Sequence, residues 1–337
     1  MESVEYQLIE TVVRRTLADI QDSPERTIRN LIDMALHFAE EGKFEREFFS
    51  IAQHMLEDSR SAYYDLVKDA AMNVDTQRIL RFGMNLGYNG CALGAKIIRQ
   101  TEEKHRFNIP WSLTLMMDAQ RFFKLEDRYH DLVREAKELG IYTFLISKKG
   151  SALNVLPLIK AHEDCAFVLF CEAEDVTPEL IKACEPLHHL MIAVRLSSHA
   201  DEACRLLREK KFLYSLSVPY AQEEAKEIIS GDLFETAQTL HPAFTLLTPQ
   251  ESCPEVLRRD VYDAIRGARE KQQYRTIPLD TIGDFEVIDS IISQEACNAC
   301  IDESGTLWAA PDRPIRHAGS VFETSFFDVL REAFPKA

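Results

Sequence analysis

Polar residues stand where several apolar runs of the sequence end, and their types could bind an anion. They are Asp118, Lys148, Lys149, Cys171, Glu172, Arg195 and Ser197. In a barrel of alternating strands and helices, the carboxyl ends of the strands meet at one mouth, where ligands bind. Two lysines and an arginine beside an acidic pair could hold a carboxylate or a phosphate there. The alternative is that these charges are simply solvated, as most charged residues are.

Cysteines supply a second candidate, a metal site. Cys297 and Cys300 form a C-x2-C pair, and two thiolates at that spacing can bind one metal ion. A complete site needs a second pair of ligands, so free or redox-active thiols are the alternative interpretation. Cys91, in the stretch GYNGCALG, could have a lowered pKa if it stood at a helix start. The simpler interpretation of Cys91 is a small buried residue among glycines.

The elements that must position these residues differ between the two parts of the chain. Residues 1–107 carry helical periodicity, clearest at 22–42, and predict an N-terminal all-α domain. From Trp111 onward, short apolar runs alternate with amphipathic helices, which predicts β/α units in a parallel sheet with right-handed crossovers. The predicted strands are 111–117, 141–147, 165–171, 189–196, 212–218 and 243–249. This pattern is typical of an incomplete barrel or of a doubly wound sheet.

The character of the sequence changes again near Asp280. NACIDESGTLWAA predicts a small hairpin around Ser304 and Gly305, and SVFETSFFDVLREAF predicts a terminal helix. We therefore expect three domains. They are a helical domain at 1–107, a barrel at 108–279 and a small C-terminal segment at 280–337.

Composition argues against several classes of function. The chain has 337 residues, of which 46% are apolar and 28% charged, the balance of an ordinary globular protein. Lys and Arg number 39 against 55 Asp and Glu, and the resulting charge of −16 argues against binding nucleic acid or an anionic membrane. No apolar run reaches the ~18 residues that a membrane span needs. The acidic N-terminal residues and the scattered cysteines predict a cytoplasmic protein with reduced thiols.

Several segments of the sequence resemble those of one subgroup of the radical S-adenosylmethionine (radical SAM) enzymes. EEKHRFNIPWSLTLMMD is similar to the family's lead-in to its first barrel strand, and REAKELGIYTFLIS to its first helix and second strand. IDESGTLWAAPD, followed by GSVFETSFFDVL, resembles a SPASM-like segment. The similarity covers about residues 105–335. It implies an α/β fold, an incomplete (β/α)6 TIM-like barrel of radical SAM type, with an N-terminal all-α domain and a small SPASM-like C-terminal segment.

The motifs that carry the chemistry of that family are altered here. The family holds a [4Fe–4S] cluster with C-x3-C-x2-C after the first strand, where this chain has DAQRFFKLEDRYHD, without cysteine. The GGEP motif, which contacts the amine of the cofactor, is replaced by Lys148-Lys149-Gly150-Ser151, whose lysines would repel an ammonium group. The TNG motif is replaced by Cys171-Glu172-Ala173, and the common EG by Ser197-Ser198.

The resemblance therefore predicts a catalytically degenerate relative that binds no cofactor and functions by binding a small anionic ligand, a peptide or a partner protein. Nucleic acid and membranes are not expected partners. The alternative is a working enzyme that holds an iron–sulfur cluster and S-adenosylmethionine through Cys297, Cys300 and Cys91. A second version of the enzyme uses Cys171 or Glu172 for non-radical chemistry. A third possibility is a structural subunit that pairs with an active relative through its helical domain.

Overall fold

The structure is a computed structural model that describes residues 4–20, 25–27, 29–30, 33, 58, 60–293, 295–309 and 319–336. Most of the helix predicted at 22–42 therefore lies outside the described residues. The strands are β1 (Ser112–Asp118), β2 (Thr143–Lys149), β3 (Ala166–Cys171), β4 (Leu190–Arg195), β5 (Tyr214–Tyr220), β6 (Phe244–Pro249), β7 (Ile277–Asp280), β8 (Ala299–Ile301) and β9 (Leu307–Ala309).

Helices alternate with these strands along most of the chain. They are α1 (Val4–Asp19), α2 (Ala62–Asn73), α3 (Thr76–Met84), α4 (Ala95–His105), α5 (Phe122–Glu138), α6 (Leu156–Ala161), α7 (Pro178–Cys184), α8 (Ala200–Glu209), α9 (Gln222–Ser230), α10 (Asp232–Gln238), α11 (Glu255–Lys271), α12 (Gly283–Ser293) and α13 (Phe326–Ala333). A π-helix, Asn85–Gly94, joins α3 to α4.

The hydrogen-bonded strand order is β7-β6-β5-β4-β3-β2-β1-β8-β9. Pairing is parallel through β1, β2 and β3, through β5, β6 and β7, and between β1 and β8, whereas β8 and β9 are antiparallel. All six predicted strands are present, with ends shifted by at most two residues. The α/β class is thus confirmed, and the parallel sheet with its helices is consistent with a partial TIM-like barrel.

The chain divides into two compact units. The first unit contains 1–84 and 194–280, and the second contains 85–193 and 281–337. Strand β4 contributes residues to both. The predicted domain boundaries at residues 107 and 279 stay a prediction.

In the second unit, β1 packs one face against the core. Leu113, Leu115 and Met117 are buried, whereas Thr114 and Met116 between them are not. This alternation follows from the period of two in a strand, which sends successive side chains to opposite faces. Helix α5 adds Phe122, Tyr129, Leu132, Val133 and Ala136 to the buried side. Their spacing puts them on one stripe of the helix.

Two glycines bring the π-helix and the end of α5 into backbone contact. A Cβ on Gly94 would lie 2.3 Å from the carbonyl oxygen of Gly140, and one on Gly140 would lie 2.5 Å from that of Gly94. Gly140 also has φ of +98°, a conformation that glycine adopts without strain. Asn85 in the π-helix donates its Nδ2 to the carbonyls of Glu163 and Cys165, at 2.8 Å each. The π-helix therefore satisfies backbone groups of the loop before β3.

The predicted C-terminal hairpin and helix are both present. Strands β8 and β9 enclose a turn in which Asp302 Oδ1 accepts the amide protons of Ser304, at 2.8 Å, and Thr306, at 3.0 Å. Gly305 in that turn has φ of +83°. Helix α13 is capped by Ser325, whose hydroxyl accepts the Asp328 amide proton at 3.2 Å.

In the first unit, β5, β6 and β7 pack against α9, α10 and α11 around Tyr220, Ile228, Phe234 and Ile265. The Tyr220 hydroxyl donates to Asp280 Oδ2 at 2.9 Å, so the carboxyl ends of β5 and β7 are joined by a buried hydrogen bond. Helix α2 is held to α8 by Arg208, which donates from both terminal nitrogens to Asp69.

Candidate functional site

The connection from β1 to α5 is the part of the structure in which a cluster loop would stand. β1 ends at Asp118 and α5 begins at Phe122, which leaves three residues between them. The Arg121 amide donates to the Asp118 carbonyl at 2.9 Å, and the Ala119 amide donates to the Lys149 carbonyl at 2.9 Å. This short connection is a hydrogen-bonded turn without cysteine, and C-x3-C-x2-C is longer than the whole of it.

The predicted residues at the ends of β1, β2 and β3 fall on two faces of the sheet. Met117 pairs with Lys148, and Asp118 pairs with Lys149. Paired residues of parallel strands point to the same face, and adjacent residues point to opposite faces. Lys148 therefore shares the buried face with Met117. Asp118 and Lys149 share the other face, where Lys149 is exposed.

Lys148 forms an ion pair with Asp175 that was not predicted from the sequence. Its ammonium group contacts Asp175 Oδ2, and the lysine side chain is only 5% exposed. The same oxygen accepts the Glu172 amide proton at 2.9 Å, and Glu172 and Asp175 form the two halves of a capping box. The acidic run CEAED after β3 is the signal that could have indicated a carboxylate at this position.

Cys171 and Glu172 have environments that fit structural roles. Cys171 is 3% exposed, and burial raises the pKa of its thiol, an effect that Lys148 opposes without reversing. A thiol that stays protonated at neutral pH is a poor nucleophile. Glu172 is exposed and caps the short 3₁₀-helix at Ala173–Asp175.

Among the described residues, the face of the sheet that carries Asp118 and Lys149 is partly exposed, most clearly at Met116 and Lys149. Met116, near the end of β1, is 45% exposed although β1 has a neighbouring strand on each side. Met116 pairs with Ser147 on β2, and Thr114 pairs with Cys300 on β8. We call Thr114, Met116, Ser147 and Cys300 the open face. The position of Cys300 on the open face could not be predicted from the sequence, because β8 is only three residues long.

The C-x2-C cysteines are protonated thiols in this environment. Cys297 is buried, and burial followed by the nearby Asp289 carboxylate raises its pKa well above the usual value. Burial, with a smaller contribution from Asp302, raises the pKa of Cys300 to about 12. Cys91 lies inside the π-helix rather than at a helix start. Within the described residues, no group of three or more His, Cys, Asp and Glu could hold a metal ion.

The two predicted residues at the end of β4 belong to the first unit. Arg195 is exposed and helps to lower the pKa of Glu224, after the larger effect of the Ala221 amide that donates to that carboxylate. The Ser197 hydroxyl accepts the amide proton of His199 at 3.3 Å. Both residues thus have local partners in the first unit.

Comparison with known proteins bears on the fold. No family model and no curated protein matches the sequence. Among solved structures, the chain is similar to a crystal structure of SuiB from Streptococcus suis, with TM-score 0.50 and 10% identity over 90% of this chain and 81% of that one. It is also similar to SuiB bound to S-adenosylmethionine, with TM-score 0.50 and 11% identity over 98% of this chain and 82% of that one. At these identities the likeness shows the fold alone.

None of the helices in the described part of the chain combines the length and the apolar character needed to cross a bilayer.

Proposed function

We propose that this chain is a degenerate radical-SAM-like protein that carries no [4Fe–4S] cluster and functions by binding a small anionic ligand, a peptide or a partner protein. The three-residue connection between β1 and α5 is the observation on which this proposal rests. Three thiolates must reach one cube of iron and sulfide, and a turn of this length without cysteine cannot supply them.

The Lys148–Asp175 pair supports the same proposal. By the resemblance, the end of β2 is where the family contacts the amine of S-adenosylmethionine. Here that strand end carries the Lys148 ammonium group, which already neutralises Asp175. A second ammonium group beside it would be repelled by a like charge in a partly desolvated environment, where charge interactions are stronger than in water.

The open face is the surface that we propose for binding. It offers the exposed apolar side chain of Met116, and Lys149 stands exposed in the neighbouring row of the same face. The partner of Lys149 in that row is Asp118, whose Oδ1 accepts the Gln120 amide proton at 3.0 Å. An apolar surface with charged groups at its edge is the usual composition of a ligand or peptide site. An anionic group would bind near Lys149, with its apolar part against Met116.

The experiment is anaerobic reconstitution of the full chain with iron and sulfide, followed by metal and sulfide analysis and assay of S-adenosylmethionine cleavage. We expect iron well below cluster stoichiometry, no charge-transfer absorption and no 5′-deoxyadenosine. SuiB treated in parallel is the control for handling of S-adenosylmethionine, since it has been crystallised with that molecule. A full cluster with cleavage of the cofactor would overturn the proposal.

A matched variant separates the proposal from the alternative with unconventional ligands. Replacing Cys297 and Cys300 together by Ala removes the C-x2-C pair and leaves the β1–α5 connection unchanged. We expect the same low iron content before and after this change. A loss of bound iron in the double variant alone would instead favour a cluster held by these cysteines.

A further inference from the structure

A cavity in the first unit involves none of the strand-end residues described above. Its volume is about 270 Å³. One face of α2, from Asp65 to Met72, supplies most of the lining, and His241 and Arg275 complete it. The volume lies just below the range of drug-sized ligand sites and suits a molecule of a few carbon atoms.

One of the two acidic residues in this lining is already neutralised. Arg208 donates from Nη1 and Nη2 to the two carboxylate oxygens of Asp69, and the Asn73 side-chain amide donates to it at 3.0 Å. Burial opposes ionisation of Asp69, but the hydrogen bonds and charge of Arg208, with smaller effects of His241 and Asn73, together outweigh it and lower the pKa of this carboxyl. Asp69 therefore attracts a second cation only weakly.

The two cationic residues of the cavity lining are available to bind a ligand. In the part of the chain that the structure describes, the side chains of Lys68 and Arg275 make no hydrogen bond and no ion pair. His241 is held neutral, because burial and then Arg208 lower its pKa. Asp65 is the remaining acidic residue, so two available cations face one available carboxylate. This balance is opposite to that of the chain, whose formal charge is −16.

We propose that this cavity, the α2 cavity, binds a small organic carboxylate. The carboxylate group lies between Lys68 and Arg275, both of which can donate several charge-assisted hydrogen bonds. A short apolar body lies against Leu66 and the exposed Met72. The site is independent of the open face and of the missing cluster, so failure of either proposal leaves the other unaffected.

The test is titration of the full chain with acetate, butyrate, hexanoate and inorganic phosphate at equal ionic strength, followed by calorimetry or amide chemical shifts. We expect saturable binding that strengthens about threefold for each methylene added, since each buried methylene contributes to affinity. An affinity that does not depend on the length of the ligand's alkyl chain, or that is strongest for phosphate, would overturn the proposed apolar contact. No saturation by hexanoate at concentrations of ~50 mM, above the millimolar range expected for so small a ligand, would overturn the site.

Variants of exposed residues test the location of the site. Lys68→Gln and Arg275→Gln should each weaken hexanoate binding about fivefold, because each removes a charged donor. Asp65→Asn should strengthen it about twofold by removing a like charge. Lys226→Gln changes an exposed lysine on α9, outside the cavity, and is the matched control with unchanged affinity expected. Equal affinities in all four variants would contradict the assignment.

Discussion

Replacing Lys148 by methionine tests whether the end of β2 is a self-contained ion pair. The change keeps most of the side-chain volume and removes the charge that faces Asp175. Breaking a fully buried pair costs about 3–5 kcal/mol, because the remaining charge is left without a partner. Asp175 is 26% exposed and keeps the hydrogen bond from the Glu172 amide, so part of its charge stays solvated. We therefore expect a loss of about 2 kcal/mol in the free energy of unfolding.

The assay is urea unfolding of the native chain, Lys148→Met, Asp175→Asn and the double variant. If the pair is coupled, the double variant should lose about 1–2 kcal/mol less than the sum of the single losses. Removing both charges leaves neither of them buried alone. The midpoint of each transition is the quantity to compare, since a chain with two compact units need not unfold in one step.

A small amine provides an independent check on the same pair. Lys148→Ala should leave a space beside Asp175 that propylammonium can fill, and propylammonium chloride should then raise the unfolding midpoint of this variant. Sodium chloride at equal ionic strength is the control, and it should have no such effect. Additive losses in the double variant, together with no recovery by propylammonium, would refute the account of Lys148 as an internal cation.

Three further predictions concern buried groups and close contacts. Asp289 is almost fully buried, and burial raises its pKa. The folded state therefore binds the proton of Asp289 more tightly than the unfolded state does. The contribution of this group to stability is present at acidic pH and is lost as pH rises from about 4 toward the raised folded-state pKa. Asp289→Asn should therefore flatten this decline in urea midpoints measured from pH 5 to pH 8, and an unchanged pH slope would contradict it. Gly140→Ala should cost more than about 2 kcal/mol of unfolding free energy, because φ is +98° and the Gly94 carbonyl occupies the place of the new Cβ. Gly267→Ala, where the new Cβ meets no atom, should instead stabilise α11 by about 0.5–1 kcal/mol. Equal effects of the two substitutions would contradict this prediction. Arg208→Lys should lower the free energy of unfolding by about 1 kcal/mol through loss of one of two bonds to Asp69, and no change would imply that the pair is solvated.

The sequence was sufficient to predict the six longer strands, because each is a continuous apolar run between helical patterns. Strand β7 has four residues, too few for such a pattern, and the three-residue β8 was predicted only as one side of the hairpin around Ser304 and Gly305. The insertion of β8 beside β1 depends on pairing between residues far apart in the chain, which periodicity does not encode. For the same reason the position of Cys300 on the open face could not be predicted.

The candidate site was predictable in part. That the connection after β1 lacks cysteine was visible in the sequence, and the structure adds that it is a three-residue turn. Alternation along β2 already implies that Lys148 and Lys149 point to opposite faces. The acidic run after β3 indicates a carboxylate near Lys148, but the sequence does not reveal which one, since Asp175 reaches the lysine from a 3₁₀-helix whose path periodicity does not encode.

The parallel pairing of β8 with β1 has a consequence for how the chain emerges from the ribosome. Leu113 is synthesised long before its sheet partner, Ala299. Until that late segment appears, one side of β1 has free amide and carbonyl groups that other extended chains could join. Nascent polypeptides stalled before residue 299 should therefore self-associate more readily than released full-length chains.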